Sequence, residues 1–145
     1  MATWSECRRL CDTATVSGEP SVPIEPVEVV ARWQERAWSE CDLSAVDELV
    51  AEPFVRHGPT GTATRTHAEL KKDLRQYQRA LGKPTITVHG RVADGDRVWS
   101  HVTLRGASID SGDLRTVERL QIHRVVDGRI VEVWSLYATD VDWGG

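Results

Sequence analysis

The stretch Leu114–Tyr137, LRTVERLQIHRVVDGRIVEVWSLY, decides the fold. Two β-rich runs, Leu114 to Val126 and Ile130 to Tyr137, flank Asp127-Gly128, a dipeptide that accepts the left-handed backbone of a tight hairpin turn. Long strands joined this closely have to be antiparallel. The same grammar repeats towards the N-terminus. Ser111-Gly112-Asp113 and Asp94-Gly95-Asp96 are turns, and Arg97 to Arg105 and Thr85 to Val92 are strands. The second half of the chain therefore reads as four consecutive antiparallel strands.

The first half reads as helices. After Pro26, a residue suited to a helix entry, Val27, Val30, Ala31, Trp33, Ala37, Trp38 and Cys41 gather on one side at helical period. A short helix from Ala45 to near Glu52 follows, with Ser44 as its cap and Pro53 as its stop. Phe54 to His57 is a short strand, and Gly58-Pro59-Thr60-Gly61 a turn. Thr66-His67-Ala68-Glu69 is a capping box opening a third helix, whose inner stripe is Leu70, Leu74, Tyr77 and Leu81 and whose end is Gly82 and Pro84. Helices segregated from strands give an α+β fold with the helices on one sheet face. Residues 1–26, with Ser17, Gly18, Pro20, Pro23 and Pro26, form a flexible arm that either stays unstructured or folds over a pocket or partner subunit.

Composition narrows the function class. The 145 residues are 40% hydrophobic and 28% charged, a globular balance with room for one core. A net charge of −4 disfavours a nucleic-acid binder, and no apolar run is long enough to cross a bilayer. Met1–Leu10 lacks the apolar core of a signal peptide, so the expectation is a cytoplasmic protein. The three cysteines cannot all pair within the chain. Cys7 and Cys11 read as reduced thiols, and Cys41 as a small core residue.

Three segments carry a family likeness. They are Phe54-Val55-Arg56-His57-Gly58-Pro59, Gly95-Asp96-Arg97-Val98-Trp99, and the final hairpin Asp127-Gly128-Arg129-Ile130-Val131-Glu132-Val133-Trp134. With the helix order before them, they resemble the SnoaL-like polyketide cyclases, in the nuclear-transport-factor-like superfamily, over roughly Pro26 to Asp142. The resemblance implies a cone-shaped barrel of curved antiparallel sheet with three N-terminal helices over residues 27–145. It implies a pocket between the concave face and the helices. A homodimer through the opposite face is the family expectation, and an exposed Val98–Val102–Leu104 stripe would suit it. Its alignment turns His57, Trp99, His101, Thr103, Arg119, Gln121, Ser135 and Tyr137 towards the pocket. Its familiar carboxylates are missing. Cyclising relatives have an Asp where this chain has Ser135, epoxide-opening relatives an Arg and an Asp at His101 and Thr103, and ketosteroid-isomerase-like relatives a carboxylate base at His57.

His101 is the first candidate for acid–base work, since an imidazole of ordinary pKa near 6.5 transfers protons at neutral pH. The competing reading is a surface or core-bonded histidine. His57 stands evenly between a pocket rim and a turn. His123 could join the same face but, near the last hairpin, reads rather as exposed, and His67 and His89 attract no functional reading. No His pair has metal-ligand spacing, so no metal is expected. Neither a phosphate loop nor a nucleophile elbow is present. Arg119 either binds a substrate carboxylate or enolate or, the preferred reading, pairs with Glu118 or Glu132. Ser135 and Tyr137 can donate to a carbonyl, Gln121 and Thr103 can orient a substrate, and Trp99 supplies an apolar wall.

The leading function is a cofactor-independent cyclase that closes a ring in a small hydrophobic, polyketide-like substrate by oxa-type, aldol or pericyclic chemistry. An isomerase or epoxide-hydrolase-like enzyme is the alternative and needs an inward carboxylate, Asp140 or Glu132. A non-catalytic binding module is the third.

Overall fold

The structure is a computed structural model that describes residues 24–143. Cys7, Cys11 and the arm before Ile24 lie outside the described residues. Helix α1 (Pro26–Gln34) starts on its proline and buries Val29, Val30, Trp33 and Gln34. It runs into a π-helical turn, Glu35–Ser39, that buries Ala37 and Trp38. Such turns insert one extra residue per turn and recur at functional sites. Cys41 is not the core residue expected of it. It lies just past the π-turn at φ 55°, half-buried, because the helix has already ended.

Helix α2 (Ser44–Leu49) is shorter than expected, and Ser44 does not cap it. Asp42 does that work: its Oδ1 accepts from the Ser44 amide at 3.0 Å and the Ser44 hydroxyl at 2.6 Å, while Arg36 holds its Oδ2. Strand β1 (Val50–Gly58) begins where α2 stops, and β2 (Gly61–Arg65) returns along it through the Pro59-Thr60 turn. Helix α3 (His67–Leu81) has the expected capping box at Thr66 and Glu69 and buries Leu70, Leu74 and Leu81. Strands β3 (Thr85–Asp94), β4 (Arg97–Ala107), β5 (Leu114–Val126) and β6 (Arg129–Thr139) follow.

The six strands form one sheet in the order β2-β1-β6-β5-β4-β3. Every pairing is antiparallel except β1 with β6, which run parallel and connect the front of the chain to its last strand. The sheet is therefore mixed, curved and open at β2 and β3.

Alternation sorts its two faces. Val98, Val102 and Leu104 on β4, Val117 and Val125 on β5, and Ile130 and Val133 on β6 are buried in a core shared with the helices. Burying each such side chain contributes about 1.5–3 kcal/mol. The Val98–Val102–Leu104 stripe is thus core rather than an exposed dimer surface. The face towards the helices is hereafter the concave face, and the opposite one the convex face.

One close approach fixes α3 over the sheet. A Cβ on Gly106 would lie 1.9 Å from the Leu81 carbonyl oxygen. That neighbour is backbone at a helix end and cannot rotate away. Gly106→Ala is expected to destabilise the fold by about 2 kcal/mol. Denaturant titration checks this, and an unchanged midpoint would show that the helix end can move.

Candidate active site

A cavity of about 250 Å³ lies between the concave face and the helices. Trp33, Trp38, Phe54, Leu70, Leu74 and Tyr77 give it apolar walls, and Arg119, Gln121, His123, Ser135 and Tyr137 form its polar stripe. The stripe is a consequence of register. Arg119 pairs with Tyr137, Gln121 with Ser135 and His123 with Val133 across β5 and β6, so alternate residues of both strands face inward together. Gln121 Nε2 reaches Ser135 Oγ at 3.4 Å, a long contact that leaves both groups free to meet a ligand.

Arg119 is 5% exposed and forms no hydrogen bond or ion pair with any described residue, and its Nε is buried without a partner. The expected pairing with Glu118 or Glu132 does not occur, because both carboxylates belong to the convex face. Instead the guanidinium sits against two rings, 4.3 Å from the Trp38 centroid and 5.0 Å from that of Tyr77. Burial lowers its pKa from the ordinary value.

His123 is 2% exposed, and its Nδ1 also lacks a partner among the described residues. Burial first, and then the Arg119 charge, lower its pKa from 6.5 to about 4, so at neutral pH the ring is uncharged. His123 is on the face that alternation allows it to share with Arg119 and Gln121, and it is buried there rather than exposed beside the last hairpin.

Asp73 on α3 is the acid that lines the cavity among the described residues. Its Oδ2 is 3.1 Å from Arg56 Nη1 and 3.2 Å from Arg65 Nε. Glu132 and Asp140 do not point inward: Glu132 bonds His57 and Arg124, and Asp140 pairs with Arg115 at the surface.

His57, Trp99, His101 and Thr103 are on the convex face, which reverses the orientation expected from the family alignment. On β4 the inward set is Val98, Ser100, Val102 and Leu104, fixed by the pairing of Ser100 with Gln121 and Val102 with Arg119. His57 Nε2 lies 2.6 Å from Glu132 Oε2 and Nδ1 2.8 Å from Thr62 Oγ1, with the ring stacked on Trp134.

His101 Nε2 lies 2.7 Å from Glu118 Oε2, and the Thr103 hydroxyl donates to Glu118 Oε1 at 2.8 Å. Burial pushes the Glu118 carboxyl up, but bonds from His101, Thr103 and the Trp143 amide outweigh it and hold the pKa below the ordinary value. A bulge between Val88 and Gly90 adds His89, whose Nε2 is 2.7 Å from Thr103 Oγ1. His89, His101 and Glu118 consequently offer ligand atoms within 4.8 Å of one another, a grouping that spacing in sequence did not reveal. Strand pairing, not sequence proximity, assembles it.

The SnoaL-like domain family matches the chain over residues 30–133. Among solved structures, IdmH of Streptomyces antibioticus, described as a candidate polyketide cyclase, is 26% identical with a TM-score of 0.68, covering 81% of this chain and 93% of its own. A candidate polyketide cyclase of Acidithiobacillus ferrooxidans is 17% identical with a TM-score of 0.70, covering 80% and 89%. An LEH-like epoxide hydrolase of Mycobacterium tuberculosis is 20% identical with a TM-score of 0.66, covering 80% and 84%. No functionally curated relative matches the chain in sequence. With the family match spanning most of the chain and the same architecture recurring in these structures, the chain belongs to the SnoaL-like domain family.

Proposed function

We propose that the protein is a cofactor-independent cyclase that closes a ring in a polyketide-like intermediate held in the concave cavity. The observation that carries this is the stripe Gln121, His123, Ser135 and Tyr137 set against aromatic and aliphatic walls. Apolar walls fold a flexible chain so that its reacting atoms meet, and the stripe polarises a carbonyl or hydroxyl at the point of closure. His123, neutral at working pH, is the imidazole of this face in place of His101 and serves as a hydrogen-bonding group, and Arg119 is the cation of the same face. With Asp73, the lining acid among the described residues, held by two arginines, the site suits oxa-type or pericyclic closure better than carboxylate-driven aldol chemistry. The likeness to IdmH supports this reading.

The test is conversion of a panel of linear polyketone and polyene-enone chains, followed by mass spectrometry. A ring closure gives a product of unchanged mass, or lighter by one water, with altered retention. Tyr137→Phe combined with Gln121→Ala is expected to cut the rate by about 10²-fold. An unchanged rate would place the chemistry elsewhere.

A second copy of the chain is the proposed occupant of the convex face. Val92, Trp99, Leu120 and Leu136 are 66%, 50%, 48% and 65% exposed there, and together they line a groove of about 590 Å³. Contiguous apolar exposure of this kind marks an association surface. Leu136→Asp is expected to convert a dimer into a monomer in analytical ultracentrifugation, whereas a wild-type monomer at micromolar concentration would end the proposal.

A further inference from the structure

The charge inside the cavity is opposite to that of the molecule. The chain carries a net charge of −4, yet among the described residues the cavity is lined by three guanidiniums, Arg56, Arg65 and Arg119, against one carboxylate, Asp73. Asp73 is engaged by Arg56 and Arg65. Arg119 is left without an anion among the described residues.

Its setting says what is missing. Trp38 and Tyr77 stand against the guanidinium, with their own rings 5.5 Å apart at 69°. Aromatic rings steady a guanidinium but offer its N–H groups no oxygen acceptor. The planar fork is a geometric match for two carboxylate oxygens, and in a site from which water is excluded such a pair is strong. A buried cation kept without a counter-ion points to a ligand that brings one.

We infer that the cavity recognises a carboxylate: its ligand is a small apolar molecule whose carboxylate docks on Arg119, with the apolar body against the aromatic walls. The inference takes the concave cavity as the substrate site, as proposed above, and adds the chemical class of what enters it.

Direct binding separates this inference from the ring-closing reading, because no turnover is needed. The probes are 2-naphthoate and its uncharged methyl ester, titrated at neutral pH with tryptophan fluorescence and calorimetry as readouts. In the wild-type protein 2-naphthoate is expected to bind at least about tenfold more tightly than the ester. Arg119→Gln is expected to bring the two within about twofold while leaving ester affinity in place.

Arg119→Lys keeps a charge without the fork and should retain only part of the preference. Equal binding of the two probes by the wild type, absence of 2-naphthoate binding, or a preference that survives Arg119→Gln would each overturn the inference. Should Arg119→Gln fail to fold, the wild-type comparison and Arg119→Lys still decide. Carboxylate binding without turnover of any linear chain would leave the inference standing and remove the cyclase reading. Turnover of uncharged chains with no carboxylate preference would do the reverse.

Discussion

Arg119→Met should make the protein more stable than the wild type, by about 2–3 kcal/mol and a Tm rise of roughly 5–10 °C. Truncations in a core ordinarily do the opposite. The reason for the reversed sign is that Arg119 is buried and has no paired carboxylate among the described residues to offset the loss of hydration. Trp38 and Tyr77 return part of that cost through their ring faces, about 1–2 kcal/mol each at most. Methionine keeps an unbranched stem and removes the charge.

Arg56→Met is the control. Arg56 is paired with Asp73, so removing it leaves a carboxylate less compensated and should lower Tm. Differential scanning calorimetry on both variants checks the contrast. A Tm that falls for Arg119→Met as it does for Arg56→Met would mean that the Arg119 charge is already balanced. Opposite signs would mark Arg119 as a residue held at a cost to stability, which is how binding groups commonly stand out from structural ones.

The same contrast explains what could be read from sequence. The order of elements was legible because caps, breakers and turns act locally: Thr66 with Glu69, Gly82 with Pro84, and Asp127-Gly128 all act where expected. Strand β2 was not legible, since Gly61-Thr62-Ala63-Thr64-Arg65 has no apolar face and is a strand only because β1 lies beside it.

The site divides along the same line. Two residues join β5 to β6, and the register of that turn alone would set Arg119 opposite Leu136; a bulge between Arg124 and Val125 shifts it by one, so that Arg119, Gln121, Ser135 and Tyr137 all face the cavity, as the family alignment expects. The connection from Ala107 to Leu114 is longer and leaves the register of β4 against β5 undetermined by local rules. There the family alignment favoured His101 and Thr103 inward, against the hydrophobic pattern Val98, Val102 and Leu104, which burial obeys. His101 and Thr103 are polar because they belong to a hydrogen-bonded outer face, not to the pocket. Contacts made by pairing distant strands, such as His101 with Glu118 and His57 with Glu132, leave no trace in local sequence.

His123 leads to the second large effect, a loss of stability in mild acid. Its ring titrates near 6.5 when exposed and near 4 in the fold, because burial and the Arg119 charge disfavour the imidazolium. Above about pH 6.5 the ring is neutral in both states and has no effect on stability. As pH falls from there towards 4, the unfolded chain binds a proton that the folded protein refuses, so stability rises with pH across this window. The gap between the two values corresponds to about 3 kcal/mol lost between pH 6.5 and 4.

Carboxylates held below their ordinary values, Glu118 and Glu132 among them, add their own loss lower down, as pH drops through the carboxylate range. Urea unfolding at pH 7 and pH 5 therefore reads chiefly the histidine step. His123→Gln, which fills the site without titrating, should flatten the dependence in that interval and leave the steeper loss below it. Arg119→Met should flatten it partly, since it removes the smaller of the two causes and leaves burial in place. A pH 7 to 5 slope unchanged in His123→Gln would show that another group carries the acid sensitivity, and that the His123 ring can open to water within the folded state.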